Sequence, residues 1–303
     1  MSRNWSKYNK SLVNRGSLTL WIHKDIDKSW KAKRVKKLGR PFQFSDSAIE
    51  TALAVRFTFG LSLRSLEGFL GSLFNLLKLP LKVPCYTQIC KRMKSLDLPH
   101  HFRTKKKIKH IVLDGSGLKM FGEGESKVKK HGAGKRREWR KLHLAVDEST
   151  QEVVFAELTG EKTHDTHFIP ELFDRKGLKR LLVDGVADSE KLYKMAFEQG
   201  IDLLTPPQRN GRIKKEPWMK QRNNRILEIL GLGGDKIAKS IWGKLRGYSK
   251  RVTIESAIAR WKKLFGQHLR SLSFETQRIE ISVKAQILND NEAVGGRNLV
   301  VSS

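Results

Sequence analysis

Apolar and polar positions follow one period in the first third of the chain and another after about residue 108. Over residues 45–96 the apolar residues recur every three or four positions, as on one face of a helix. Ile49, Leu53 and Phe57 mark a first helix from Asp46 to about Phe59, with Ser45 as its cap and Gly60 as its stop. Ser62 can cap a second helix through LRSLEGFLGSLFNLLKL, and Pro80 and Pro84 bracket a turn before a third, YTQICKRMKSL, from Tyr86. Beyond residue 108 the apolar runs shorten and read as strands: HIVLD (110–114), WRKLHLAVD (139–147), EVVFAEL (152–158), LKRLLVD (178–184) and IDLLTPP (201–207). Two helices fall among them, HFIPELFDRKG (167–177) and SEKLYKMAFEQG (189–200).

The order β-ββ-α-β-α-β predicts an α/β fold in which a mixed sheet carries helices on both faces. An all-α, helix-turn-helix-like unit precedes it, whose basic third helix would enter a DNA groove with Lys91, Arg92 and Lys94. The expected division is a basic arm over 1–44, helices over 45–100, an α/β domain over 108–285 and a tail over 286–303. Within the α/β domain, residues 208–247 read as a basic insertion with some helix near 219–230.

Charge narrows the partner. The 303 residues carry a formal net charge of +29 and a sequence pI of about 10.2. The first 110 residues hold 24 Lys and Arg against 6 Asp and Glu. Such an excess selects a polyanion. No apolar run approaches the roughly 18–20 residues that span a bilayer, so no membrane partner is expected. MSRNWSKYNK lacks the apolar core of a signal peptide, and two cysteines, Cys85 and Cys90, suit a reducing cytoplasm. Their spacing with His100 and His101 matches no usual zinc module.

The chemistry gathers at Tyr248–Lys262. Tyr248, Arg251, Glu255 and Lys262 share one face of a helix, with Val252, Ile254, Ala257, Ile258 and Trp261 on the other. Asp114 and Asp184 each end an apolar run and precede a glycine. An Asp-Gly pair alone marks only a turn. Three carboxylates that converge, however, suit two Mg²⁺ ions on a phosphodiester, while Arg251 and Lys262 hold its phosphate. Asp188 reads as a helix start rather than the ligand. The loop holding Lys129, Lys130, Arg136 and Arg137 reads as a DNA contact. Trp242 is a candidate for stacking on an extruded base. For His131, His143, His164 and His167 a structural or phosphate-contacting role is expected, since a two-metal mechanism needs no histidine.

These residues resemble a known family, the bacterial insertion-sequence DDE transposases, and within it the insertion-sequence-five family. Its Y-(2)-R-(3)-E-(6)-K signature is matched by Tyr248, Arg251, Glu255 and Lys262, and its Asp motifs by HIVLDGSGLKMFGEGE and LLVDGVADSEKLY. The likeness runs from about residue 3 to 285. It implies an RNase H-like core with a five-stranded sheet, catalysis by Asp114, Asp184 and Glu255, and two Mg²⁺ ions with Mn²⁺ as a substitute. It also implies double-stranded DNA partners (terminal inverted repeats and target), a homodimer or larger assembly on DNA, and a place in the bacterial cytoplasm at the nucleoid. Gly115 departs from the hydroxyl residue usual after the first Asp. A transposase-derived protein that binds without cutting, or a metal-dependent nuclease or resolvase, are the alternatives.

Overall fold

Ser45 and Ser62 begin two helices by the same device. The Ser45 hydroxyl accepts the Ala48 N–H at 3.0 Å and the Ser62 hydroxyl the Ser65 N–H at 3.1 Å, which satisfies donors that the first helical turn leaves open. The computed structural model describes residues 5–17, 26–33, 41–104, 107–120 and 139–295. These fall into two compact units, one of residues up to 100 with 118–120 and 261–295, the other of 101–117 and 139–260.

The first unit is helical: α1 (Trp5–Asn14), α2 (Ile26–Trp30), α3 (Asp46–Phe59), α4 (Leu63–Leu76), α5 (Tyr86–Ser95) and a long C-terminal helix, Phe274–Gly295. Gly60 stops α3 at φ 66°, a left-handed conformation that costs glycine nothing. Ile49, Leu53 and Phe57 of α3, Leu66, Leu70 and Phe74 of α4, and Ile89 and Met93 of α5 are all buried. Trp30 is buried edge-on to Phe74 at 5.2 Å and donates its indole N–H to the Lys82 carbonyl at 2.7 Å. The segment from 286, expected as a tail, is helical through Gly295 because Ile287 and Leu288 are buried there.

The second unit is built on a mixed sheet of five strands: β1 (His110–Lys119), β2 (Trp139–Asp147), β3 (Val153–Gly160), β4 (Arg180–Leu182) and β5 (Asp202–Leu204). Its order is β3-β2-β1-β4-β5, with β2 and β3 antiparallel and β1, β4 and β5 parallel. This strand order is consistent with the expected RNase H-like core, and the sheet is flanked by α6 (Ile169–Phe173), α7 (Glu190–Glu198), α8 (Lys220–Gly231), α9 (Lys236–Arg246) and the first part of α10 (Val252–Phe265), whose residues from 261 belong to the first unit. Ile111, Leu113, Leu181 and Leu203 from the parallel strands pack with Phe168, Leu172, Tyr193 and Ala196 into one core. The helix expected over 167–177 shrinks to α6, opened by a 3-10 turn at Asp165–Phe168, since Pro170 fits only a first turn. No helix among the described residues is long and apolar enough to cross a membrane.

Candidate active site

The parallel register between β1 and β4 sets the site. His110 pairs with Arg180, Ile111 with Leu181 and Val112 with Leu182. Two residues further, Asp114 and Asp184 fall at the same level on strands about 4.8 Å apart. β4 has ended by then, although β1 runs on to Lys119 rather than stopping at Asp114 as expected. Asp184 instead starts a short 3-10 turn, its Oδ1 accepting the Val186 N–H at 3.1 Å. Both acids thus lie just beyond the carboxyl end of the paired stretch of β1 and β4, the edge where sites gather in such sheets.

Arg251 joins them. Its guanidinium donates to Asp114 Oδ2 at 2.7 Å, while the Gly115 N–H donates to Asp114 Oδ1 at 2.9 Å. Burial pushes the Asp114 carboxyl above its ordinary range, with Arg251 pulling the other way. Burial works against the Arg251 cation, but Asp114, Tyr248 and Asp184 together raise its pKa above the usual value. Burial likewise raises the Tyr248 hydroxyl, which hydrogen-bonds Arg251. One cation therefore feels both acids and the tyrosine. Its Nε is buried without a hydrogen-bond partner among the described residues.

A turn, not a helix, presents these two residues. Tyr248–Arg251 form a 3-10 turn after Gly247, whose φ of 76° ends α9. Lys250 pairs with Glu148 in the β2–β3 turn, and Arg260 donates to Gln151 of that turn at 3.2 Å, which ties both ends of the segment to the sheet. Only then does α10 begin. Glu255 lies exposed in its first turn, where the helix dipole favours a carboxylate, and Lys262 follows two turns on. Ile254, Ala257 and Trp261 are buried as expected, but Val252 is 60% exposed because it stands at the turn-to-helix junction.

The oxygens of Asp114, Asp184 and Glu255 do not converge within 4.8 Å of one another. Their chemistry nonetheless fits a divalent cation of the Mg²⁺ type: three carboxylates, one of them (Glu255) exposed and without an ion-pair partner among the described residues, offer oxygen ligands alone.

Other candidates resolve differently. Lys91 and Lys94 are exposed on α5, but Arg92 turns inward at 8% exposure, donating to the Phe44 carbonyl at 2.6 Å and pairing with Asp46. Every third or fourth residue of a packed helix must face its core, and Arg92 takes that place instead of contacting DNA. Asp188 is buried against Arg222 at 2.7 Å and accepts the Gln208 N–H, so it holds the fold. Trp242 is buried and donates to Glu228 at 3.0 Å, which removes it from base stacking. Lys129, Lys130, Arg136 and Arg137, with His131, lie outside the described residues.

One cluster escaped the sequence reading. Asp165 joins His143 and Lys141 beside Gly115. Lys141 and His143 alternate on one face of β2, a period-2 signal that was legible, but their acid comes from a loop with no periodicity.

A family model described as a transposase DDE domain matches residues 105–289, and a second of the same description matches 13–123. Among solved structures, the Drosophila P element transposase strand transfer complex is similar at 11% sequence identity and a TM-score of 0.32, over 89% of this chain and 84% of that one. The larger family match spans more than half of the 303 residues, and the chain therefore belongs to the family of DDE-domain transposases, metal-dependent enzymes of DNA transposition.

Proposed function

We propose that this transposase is of the insertion-sequence-five type and cuts at the terminal inverted repeats of its element, with Asp114, Asp184 and Glu255 as the acids that hold two Mg²⁺ ions. The observation that carries this reading is the β1–β4 register, which sets Asp114 beside Asp184 with Arg251 acting on both. Held by these acids, two such ions would supply the activation of a water or 3′-hydroxyl and the neutralisation of the leaving oxygen. Mn²⁺ has the same oxygen preference and would substitute. Arg251 is positioned to exchange its bond with Asp114 for a phosphate oxygen, and a guanidinium forks onto phosphate as readily as onto carboxylate. Tyr248 steadies that guanidinium. Lys262 adds a cation on the helix of Glu255.

Further from the acids, Lys91 and Lys94 on α5 would read or hold the element's end, and the +29 charge draws both end and target DNA by release of counterions. Two ends must meet for transposition, so a homodimer or larger assembly on DNA is part of the proposal.

The test is strand cleavage of a labelled duplex carrying the terminal repeat, run with Mg²⁺, with EDTA and with Glu255→Ala. Metal-dependent nicking at the repeat boundary that Glu255→Ala abolishes is the expected result. Binding without cutting, the same in Glu255→Ala, would sink the assignment and favour a protein that only binds.

A further inference from the structure

Four side chains next to the acid pair take no part in the reading above. His143 on β2 is 0% exposed and lies 4.7 Å from the Phe168 ring. Its Nδ1 meets Asp165 Oδ1 at 2.5 Å and its Nε2 meets Thr159 Oγ1 at 2.7 Å. Lys141, two residues earlier on the same face of β2, donates to Asp165 Oδ2 at 2.9 Å. Burial opposes the Asp165 charge, but the bonds from His143 and Lys141 outweigh it and hold the carboxyl below its ordinary range. An ionised carboxylate only accepts, so His143 Nδ1–H and the ammonium are the donors.

This arrangement excludes one role. His143 is sealed and spends both ring nitrogens, so it cannot reach a substrate as a general base. Asp165 gives one oxygen to His143 and the other to Lys141, which ties the lysine to the histidine. Lys141 differs from both. Its side chain keeps 22% of its surface, and Asp165 takes one of its three N–H donors. Its place is defined by Gly115, the residue after Asp114. A Cβ there would overlap both Lys141 Cε and Asp165 Oδ1. The missing side chain is what lets a lysine and its carboxylate lie against the backbone beside the first acid.

We propose that Lys141 is a further catalytic residue, its ammonium donating to a non-bridging oxygen of the scissile phosphate, with Asp165 and His143 as the positioning residues that hold it over Gly115. The inference rests on the reading that Asp114 belongs to the reacting centre. Asp165 fixes the lysine rotamer and is itself fixed by a histidine locked between two hydrogen bonds and an aromatic ring. Such a support supplies the positional accuracy that electrostatic stabilisation of a developing charge demands.

The experiment has two parts, both on the full chain and the terminal-repeat duplex. Single-turnover cleavage at saturating protein is expected to fall about 100-fold in Lys141→Gln, the scale set by removal of one oxyanion donor. Lys141→Arg should recover most of that loss, and Asp165→Asn should slow the same step. Equilibrium binding in EDTA is then measured with a neutral methylphosphonate at the scissile position. That substitution should weaken the wild type about tenfold more than it weakens Lys141→Gln, whose Arg251 still faces the phosphate, a coupling that a merely structural lysine would not produce. Cleavage by Lys141→Gln within about threefold of wild type overturns the proposal, as does equal weakening of both proteins by the methylphosphonate. If circular dichroism shows Lys141→Gln unfolded, Asp165→Asn carries both measurements with the same criteria. Asp114→Asn runs alongside: cleavage at the wild-type rate by that variant removes the parent reading, whereas its inactivity beside a normal Lys141→Gln removes this inference alone.

Discussion

Glu280 in the helical unit and Asp114 in the sheet unit both sit against cations, yet they are finished to different degrees. Glu280 is 0% exposed and accepts the Arg270 N–H at 3.0 Å, the Ser271 N–H at 2.8 Å and the Lys284 ammonium at 2.5 Å. Lys284 lies over the rings of Phe57 and Phe265 at 5.4 and 5.5 Å. Both Glu280 oxygens and the Lys284 ammonium are thus bonded inside the protein, although the neighbouring Arg56 guanidinium keeps a buried Nε with no partner among the described residues. Around Asp114 the acids outnumber the cation: Arg251 serves two acids and a tyrosine, and Glu255 stands exposed. The contrast separates two uses of the same chemistry. A buried carboxylate with all its acceptor sites filled ties elements together. A partly buried one that shares its cation with other acids is arranged for something still to arrive.

Substitution should divide the two regions cleanly. Glu255→Gln is expected to cut the cleavage rate by more than about 1,000-fold. Because Glu255 is exposed and has no ion-pair partner among the described residues, the variant's unfolding free energy should stay within about 0.5 kcal/mol of wild type. Glu280→Ala should do the reverse. It leaves Lys284 buried without its partner and should cost about 3–5 kcal/mol in urea denaturation, with cleavage per folded molecule preserved. A stable but inactive Glu280→Ala would break the comparison.

A finer division lies within four residues of one loop. Asp184 faces Arg251 across the site, whereas Asp188 is sealed against Arg222. Asp188→Asn is expected to lose about 2 kcal/mol of stability and keep its cleavage rate, since it weakens a charge-assisted bond away from the chemistry. Asp184→Asn should keep its stability and lose its cleavage. Rates and melts that fail to cross in this way would reassign the second acid.

How much of this the chain disclosed depended on range. α3 was legible to the residue, and α4 at its start, because Ser45, Gly60 and Ser62 are local signals, each acting within four residues; no such signal marks the end of α4, which stops at Leu76 short of the end of the apolar run. That Asp114 and Asp184 fall beside one another was legible because both follow apolar runs whose strands pair in parallel. The turn at 248–251 was not, since three- and four-residue spacings suit a 3-10 turn followed by a helix as well as one continuous helix. The C-terminal helix escaped for another reason. Residues 279–285 are buried in unbroken succession, Glu280 and Lys284 included, so no polar face alternates with an apolar one. α9 carried its signals, Asp235 as cap and Gly247 as stop, inside a stretch whose charge drew attention from them. Asp165 depends on contacts across 22 and 24 residues, which no local pattern encodes.

The smallest expected effect tests the closed cluster itself. Burial lowers the Lys284 pKa below 10.5, with Glu280 opposing. In the pH interval between that lowered value and 10.5 the unfolded chain holds a proton that the folded chain has released. Stability therefore rises with pH across the interval, and the gain is lost as pH falls through the folded value. The slope cannot exceed about 1.4 kcal/mol per pH unit for one proton. Urea denaturation of wild type and Lys284→Met at steps from neutral pH upward isolates it, because the methionine has no proton to exchange while filling similar space. The difference between the two proteins should move in favour of the wild type as pH rises. A flat difference would mean that Lys284 binds its proton as it does in the unfolded chain. The bond from Glu280 would then offset the burial of Lys284 in full, and titration would no longer distinguish the closed cluster from the open site.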